Sequence, residues 1–184
     1  MREVVFFAGG CFWCTEAVFR RLKGVISVEC GYTGGSADSP TYELVCTGST
    51  GHAEAVRVTY DTDQIPFAQL LDVFFTTHDP TTPNRQGHDM GTQYRSAIFC
   101  TTAGQLGEAQ QKIADLDRSH RFRDPLVTQV VRAGSFYLAE AEHQGYEERH
   151  PGAGYVQAVI VPKLAKLTQC HRQYLKPEER QGNR

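Results

Sequence analysis

The 184-residue chain lacks any strong charge imbalance: 19 Lys and Arg stand against 21 Asp and Glu, for a formal net charge of −2. So even a balance builds no field for nucleic acid or an anionic membrane. Long hydrophobic runs are also missing, and no stretch reaches the ~18 apolar residues that span a bilayer. There is no internal repeat and no low-complexity segment, so neither a repeat array nor a composition-driven linker is expected. A coiled-coil heptad is absent too, which makes a monomer the default. The N-terminus faintly imitates a lipoprotein leader, with Arg2, an apolar run and then Cys11, but the run is too short and Glu3 opposes it. These absences predict a cytoplasmic protein with no membrane or nucleic-acid partner. Tryptophan is scarce, with Trp13 the single one, and cysteine is not: Cys11, Cys14, Cys30, Cys46, Cys100 and Cys170. An even count can mark a secreted disulfide framework. A chain of this length buries roughly two-thirds of its unfolded surface and needs no such staples, so a reducing compartment is the better reading.

Length suits one domain. Residues 4–8 read as a buried strand, ended by Gly9-Gly10. Helical character over 15–22 closes at Lys23-Gly24. Strands are expected over 25–32, 42–46, 54–60, 95–101, 126–132 and 156–161. Helices are expected from Pro66 to about residue 77, then over 103–118, 138–149 and 163–174. Between 78 and 92 lies a loop dense in Pro, Gly, Asp and Asn, and a loop that long in a compact domain is usually functional. Interleaved strands and helices predict an α+β two-layer sandwich, a mixed β-sheet with flanking helices and a ferredoxin-like core. The catalytic domain is expected over 1–176, followed by a flexible tail over 177–184.

Gly9-Gly10-Cys11-Phe12-Trp13-Cys14-Thr15-Glu16 places Cys11 between a strand end and a helix start. Unpaired N–H groups and the positive end of the helix dipole favour a thiolate there, which predicts an activated nucleophile. The two glycines would let backbone approach a ligand closely. Phe12 and Trp13 cannot both face one core, so at least one is free to line an apolar pocket suited to a methyl-sulfur group. Glu54 stands where a Gly-rich turn enters a strand. Buried beside apolar groups, it would have a raised pKa and could donate a proton near neutral pH. The loop through 78–92 could bring Asp89 and Tyr94 to the same site.

Together these segments resemble the A-type peptide methionine sulfoxide reductase family. The likeness runs through Gly10 to Trp13, Gly31-Tyr32-Thr33-Gly34-Gly35, Tyr42 and Thr50-Gly51-His52-Ala53-Glu54. It continues through His78-Asp79-Pro80-Thr81, Gly87 to Ser96 and Glu140-Ala141-Glu142-His143-Gln144. It implies reduction of methionine S-sulfoxide, free or in oxidised proteins and peptides, without a bound cofactor or metal. Cys11 would attack the sulfoxide sulfur, and Glu54 would protonate its oxygen. Tyr42 and Tyr94 would hydrogen-bond that oxygen, Asp89 would order the polar side, and Phe12 and Trp13 would hold the methyl group. Cys11 would become a sulfenic acid and then a disulfide, with thioredoxin or another dithiol restoring the thiols.

The sequence departs from the family where many members carry a resolving cysteine after a C-terminal Gly-Tyr pair. Here Gly154-Tyr155 is followed by Val156. The candidates in order are Cys14, which forms C-x-x-C with Cys11, then Cys170, then Cys46, with direct reduction by an external thiol also open. Cys30 and Cys100 read as core residues. Three other readings compete. A general disulfide oxidoreductase would leave Glu54 and Tyr42 without a role. A zinc module on Cys11 and Cys14, completed by His52, His78, His88 or His143, lacks a second paired ligand motif. A cysteine hydrolase would need a histidine paired with Cys11.

Overall fold

The computed structural model describes residues 1–181. Its first half runs β1 (Arg2–Gly9), α1 (Phe12–Phe19), β2 (Val25–Thr33), α2 (Tyr42–Cys46), β3 (Ala53–Asp61) and α3 (Phe67–Thr77). A small hairpin of β4 (Arg85–Gln86) and β5 (Asp89–Met90) follows. The second half runs β6 (Ser96–Cys100), α4 (Ala103–Ser119), β7 (Gln129–Arg132), β8 (Phe136–Leu138), α5 (Tyr146–Arg149) and α6 (Val161–His171). Six strands form one sheet in the order β7-β6-β1-β3-β2-β8, antiparallel throughout except for the parallel β6–β7 edge.

The connectivity follows from that order. β1 and β2 are parallel to each other with β3 between them, and α1 makes the crossover. β3 and β6 are likewise parallel with β1 between them. Two interleaved split β-α-β units make a ferredoxin-like core, so the expected α+β two-layer sandwich with a mixed sheet is what the chain forms. β1 reads as an unbroken apolar run because both its faces are covered. Val5 and Phe7 face the main core with Phe19, Leu70, Leu71 and Phe74, while Phe6 and Ala8 face Ala53, Ala55, Ala97 and Phe99. Each large apolar side chain buried this way stabilises the fold by about 1.5–3 kcal/mol.

Several segments differ from the sequence expectation. Residues 42–46, expected as a strand, form helix α2. The Thr41 hydroxyl caps it by accepting the Leu44 amide at 3.3 Å, and only Val45 is buried. Residues 138–149 do not form one helix. Gly145, at φ 65°, breaks the run, and the Gln144 side chain acts as a strand-like partner for β2. It accepts the Cys30 amide at 2.9 Å and donates to the Cys30 carbonyl at 2.9 Å. Residues 156–161, expected as a strand, form a π-helical turn that runs into α6, with Pro162 in the first turn where its missing N–H costs nothing. A six-residue apolar run cannot tell helix from strand by period alone. Strand β7 is shorter than the 126–132 expected.

Within the expected tail, Pro177–Glu179 makes a 3₁₀ turn and the Arg180 guanidinium donates to the Leu175 carbonyl at 3.0 Å. The rest of that tail, 182–184, lies outside the described residues. Among the described residues no helix is long and apolar enough to cross a membrane.

Candidate active site

Strand β1 ends in Gly9 and Gly10, and the turn they make aims Cys11 at the start of α1, where it is the N-cap residue. Gly10 sits at φ +96°, and a Cβ there would lie 2.7 Å from Gln86. The space left by this glycine therefore admits a neighbouring side chain, not the ligand that the sequence suggested. Gln86 in turn clasps the backbone of Asp79, accepting its amide and donating to its carbonyl, both at 2.9 Å. This clasp ties the β4–β5 hairpin, and with it Asp89, close to Cys11.

Cys11 and Cys14 are both buried and line one cavity of about 110 Å³ with Gln86, Asp89, Tyr155 and Lys163. The sequence predicts a lowered Cys11 pKa, and the structure reverses it. Burial pushes the Cys11 thiol well above its ordinary value, assisted by its hydrogen bond to Cys14 and the nearby Glu54 carboxylate. Cys14 moves the other way, down to about 7, with the neighbouring Cys11 thiol the largest cause and the Lys163 charge adding to the effect. The two thiols titrate as a pair, and desolvation outweighs the dipole of a helix only eight residues long.

Glu54, on β3, is 1% exposed. It accepts the Phe12 amide at 3.1 Å, which holds it one residue from Cys11. Burial raises its pKa to about 8 against that hydrogen bond, with the Asp89 and Cys14 charges adding to the rise. Tyr42 and Tyr94 flank it. Both phenols are raised by burial first and by the Glu54 charge next, so both remain neutral donors. Asp89 accepts the Tyr155 hydroxyl at 2.8 Å.

The two aromatics after Cys11 diverge as the helix requires. Phe12 is fully buried against Tyr32 and His143. Trp13 stays half-exposed and stacks on Tyr146 with ring centroids 3.7 Å apart, while Tyr155 meets it edge-on at 5.8 Å. Its indole N–H donates to His143 Nδ1 at 3.3 Å, which fixes the His143 proton on Nε2.

Tyr155, Tyr146 and His143 were missed as site residues. Tyr155 stood in the Gly154-Tyr155 pair and His143 in the Glu140–Gln144 segment, whereas Tyr146 carried no signal, and no spacing assigns any of them a role. Of the remaining cysteines, Cys30 and Cys100 are buried, as expected of core residues. Cys46 is exposed on α2 beside Tyr42. Cys170 is exposed on α6, seven residues beyond Lys163 and so about 10 Å further along the helix. Neither shares the cavity with Cys11. Among the described residues the one cluster with metal-ligand spacing is Glu140, Glu142 and His143, within 4.8 Å of one another, and it includes no cysteine. Of the histidines proposed to complete a zinc site, His78 is engaged by the Phe74 carbonyl and the Ser96 hydroxyl, and His52 by the Gly35 amide.

A buried carboxylic acid that ionises near pH 8, phenols around it and a paired thiol can together protonate an oxygen while sulfur supplies two electrons. Comparison with known proteins agrees in kind. Residues 3–176 match the model of a family described as peptide methionine sulfoxide reductase. A protein named peptide methionine sulfoxide reductase MsrA from Deinococcus radiodurans is 54% identical over 170 residues, covering 92% of this chain and 82% of its own. The crystal structure of Mxr1 from Saccharomyces cerevisiae in reduced form is similar with a TM-score of 0.77 at 34% identity, over 83% of this chain and 87% of that one. Mxr1 in complex with Trx2 is similar with a TM-score of 0.56 at 25% identity, over 79% and 84%.

Proposed function

The chain belongs to the peptide methionine sulfoxide reductase family, a group of thiol-dependent oxidoreductases, and from that premise we propose how its residues reduce methionine S-sulfoxide, free or in oxidised proteins. The observation that carries the reading is Glu54: a fully buried acid, raised to about 8 and hydrogen-bonded to the residue after Cys11.

Trp13, stacked on Tyr146, would offer a flat apolar wall for the terminal methyl group, and Phe12, whose buried ring also packs on His143, would back it. The sulfoxide oxygen is then turned towards Glu54, Tyr42 and Tyr94. The Cys11 thiolate attacks the sulfoxide sulfur, and Glu54 transfers its proton to the oxygen as negative charge builds there. The two phenols donate to the same oxygen and stay neutral throughout. Methionine leaves, and Cys11 becomes a sulfenic acid. Cys14, which lines the same cavity as Cys11, condenses with it to a disulfide. Cys46 and Cys170 remain as slower routes that would need movement of their elements. Thioredoxin, or a similar dithiol, reduces the disulfide, a role suited by the complex that the yeast relative makes with Trx2. No bound cofactor or metal enters any step. A domain of this length needs no disulfide staples, which suits a reducing compartment, the cytoplasm. We take the working species as a monomer, with the repair of oxidative damage as its purpose.

A single turnover of the reduced protein with a methionine S-sulfoxide peptide, followed by mass analysis, tests this reading. Loss of one oxygen from the peptide supports it. Gain of water by the substrate would instead mark a hydrolase.

A further inference from the structure

Cys14 donates to or accepts from the Tyr155 hydroxyl at 3.4 Å, and Tyr155 donates to Asp89 Oδ2 at 2.8 Å. A phenol has a single proton. With that proton on Asp89, the Tyr155 oxygen accepts the Cys14 S–H. The three groups form a directed chain from thiol to carboxylate, on the wall of the cavity that Cys11 shares. We propose that Tyr155 and Asp89 are the proton relay of the resolving step, which carries the Cys14 proton away as Cys14 attacks the Cys11 sulfenic acid. This rests on Cys14 as the resolving cysteine.

The relay answers a specific need. In the reduced protein the largest influence that lowers Cys14 is the thiol of Cys11. Oxidation of Cys11 removes that thiol. Cys14 is then a buried thiol opposed by its own desolvation, with the Lys163 charge still favouring the thiolate and the one Tyr155 proton held by Asp89. The other charged or titratable groups turned towards it are Glu54 of β3, Asp89 of β5, and His78 after α3, which lines the same crevice as Cys14 and Lys163. His78 cannot act as the base, because both its nitrogens are engaged. Burial raises the Tyr155 pKa, so it can pass a proton on without holding charge.

The step balances. The Cys14 S–H bond breaks as its proton moves to the Tyr155 oxygen, and the Tyr155 proton moves to Asp89. The S–S bond forms while the Cys11 S–O bond breaks. Hydroxide leaves into the shared cavity, takes the proton from Asp89 and departs as water. The Cys11 sulfur is reduced, the Cys14 sulfur is oxidised, and no further reactant is needed.

Partitioning of the sulfenic acid tests the relay. Reduced protein is turned over once with a sulfoxide peptide in the presence of a dimedone-type trap, and mass analysis counts trapped Cys11 against disulfide. The ratio depends on the resolving rate relative to capture, however fast the sulfenic acid forms. Tyr155→Phe and Asp89→Asn are each expected to shift the ratio towards the trap by about tenfold or more at pH 7, in line with loss of a positioned proton acceptor. The Tyr155→Phe shift should disappear as pH rises and Cys14 ionises unaided, a recovery that a merely structural defect would not show. A wild-type ratio in Tyr155→Phe, or a shift that persists at every pH, overturns the relay. Cys14→Ser separates the premise: if it still forms an intramolecular disulfide at the wild-type rate, Cys14 is not the resolving cysteine and the whole reading of this step falls.

Discussion

The Phe12 amide donates to Glu54 Oε1 at 3.1 Å, and this one hydrogen bond joins the nucleophile's helix to the acid's strand. Phe12 is the first residue of α1 and follows the N-cap Cys11, so the amide is one of the helix's unpaired donors. An orphan N–H that commonly binds water or a capping side chain here holds the proton donor in place.

Because burial raises both Glu54 and Cys11, the pair is reactive when it holds one proton, with thiolate on Cys11 and acid on Glu54. The single-turnover rate should rise with pH up to about 8, where Glu54 ionises, and fall again above the raised value of Cys11. Glu54→Gln should lose roughly 10²–10⁴-fold at the optimum. Its profile should keep only the rising limb that follows Cys11. Rapid-quench measurement of methionine across pH 6 to 10 checks the rise to about 8 and the loss of that break in Glu54→Gln.

Fold stability should depend on pH through two buried groups of opposite sign. His78 is lowered to about 4 by burial against an ordinary 6.5, so its contribution is full above 6.5 and is lost as pH falls through 4. The loss at pH 5 is about 2 kcal/mol. Glu54 is raised, so its contribution is full below 4.5 and is lost as pH rises through about 8. Urea titrations at pH 5, 7 and 9 should show His78→Gln flattening the acid side and Glu54→Gln flattening the alkaline side.

His143 is the acceptor that orients Trp13, and its ring packs on Phe12 and Tyr42. His143→Phe keeps the packing and removes the acceptor. The expected cost is about 1 kcal/mol of substrate binding, read as a KM several-fold higher with kcat little changed. The emission of Trp13, the single tryptophan, should shift in the same variant.

Gly10→Ala should weaken the site without touching a reacting group. The substitution meets a positive φ and a 2.7 Å contact with Gln86, which loosens the clasp on Asp79 and the hairpin that carries Asp89. Roughly 1–3 kcal/mol of local strain is expected. Stability should fall by that amount, and Gly10→Ala should also trap more Cys11 sulfenic acid in the partition assay.

The sequence was most legible where short-range chemistry decides. Gly9-Gly10 ended β1 and placed Cys11 at a helix start, and the turn before Glu54 led into a strand, because glycine freedom and alternation act over a few residues. Long-range effects were not legible. Gln144 bonded to Cys30 from 114 residues away, replacing an expected helix by an edge contact, whereas the Thr41 cap that starts α2 is a local signal that the apolar, aromatic content of residues 42–46 masked. The Cys11 pKa was misread for the same reason. A helix start is visible in sequence, whereas the desolvation that outweighs it comes from Val156, Ile160 and Tyr155, which only the fold brings near. Tyr155 over Cys14 could not be found from spacing, since 141 residues separate the two.

The most direct test of the central claim is a single turnover of fully reduced protein with a methionine S-sulfoxide peptide, followed by mass mapping of every cysteine, with Cys11→Ser as control. The account predicts about one equivalent or more of methionine, a disulfide between Cys11 and Cys14, and no methionine from Cys11→Ser, whose hydroxyl supplies no anion at neutral pH. Methionine formed by folded Cys11→Ser, or none formed by the folded and reduced wild type, would contradict it.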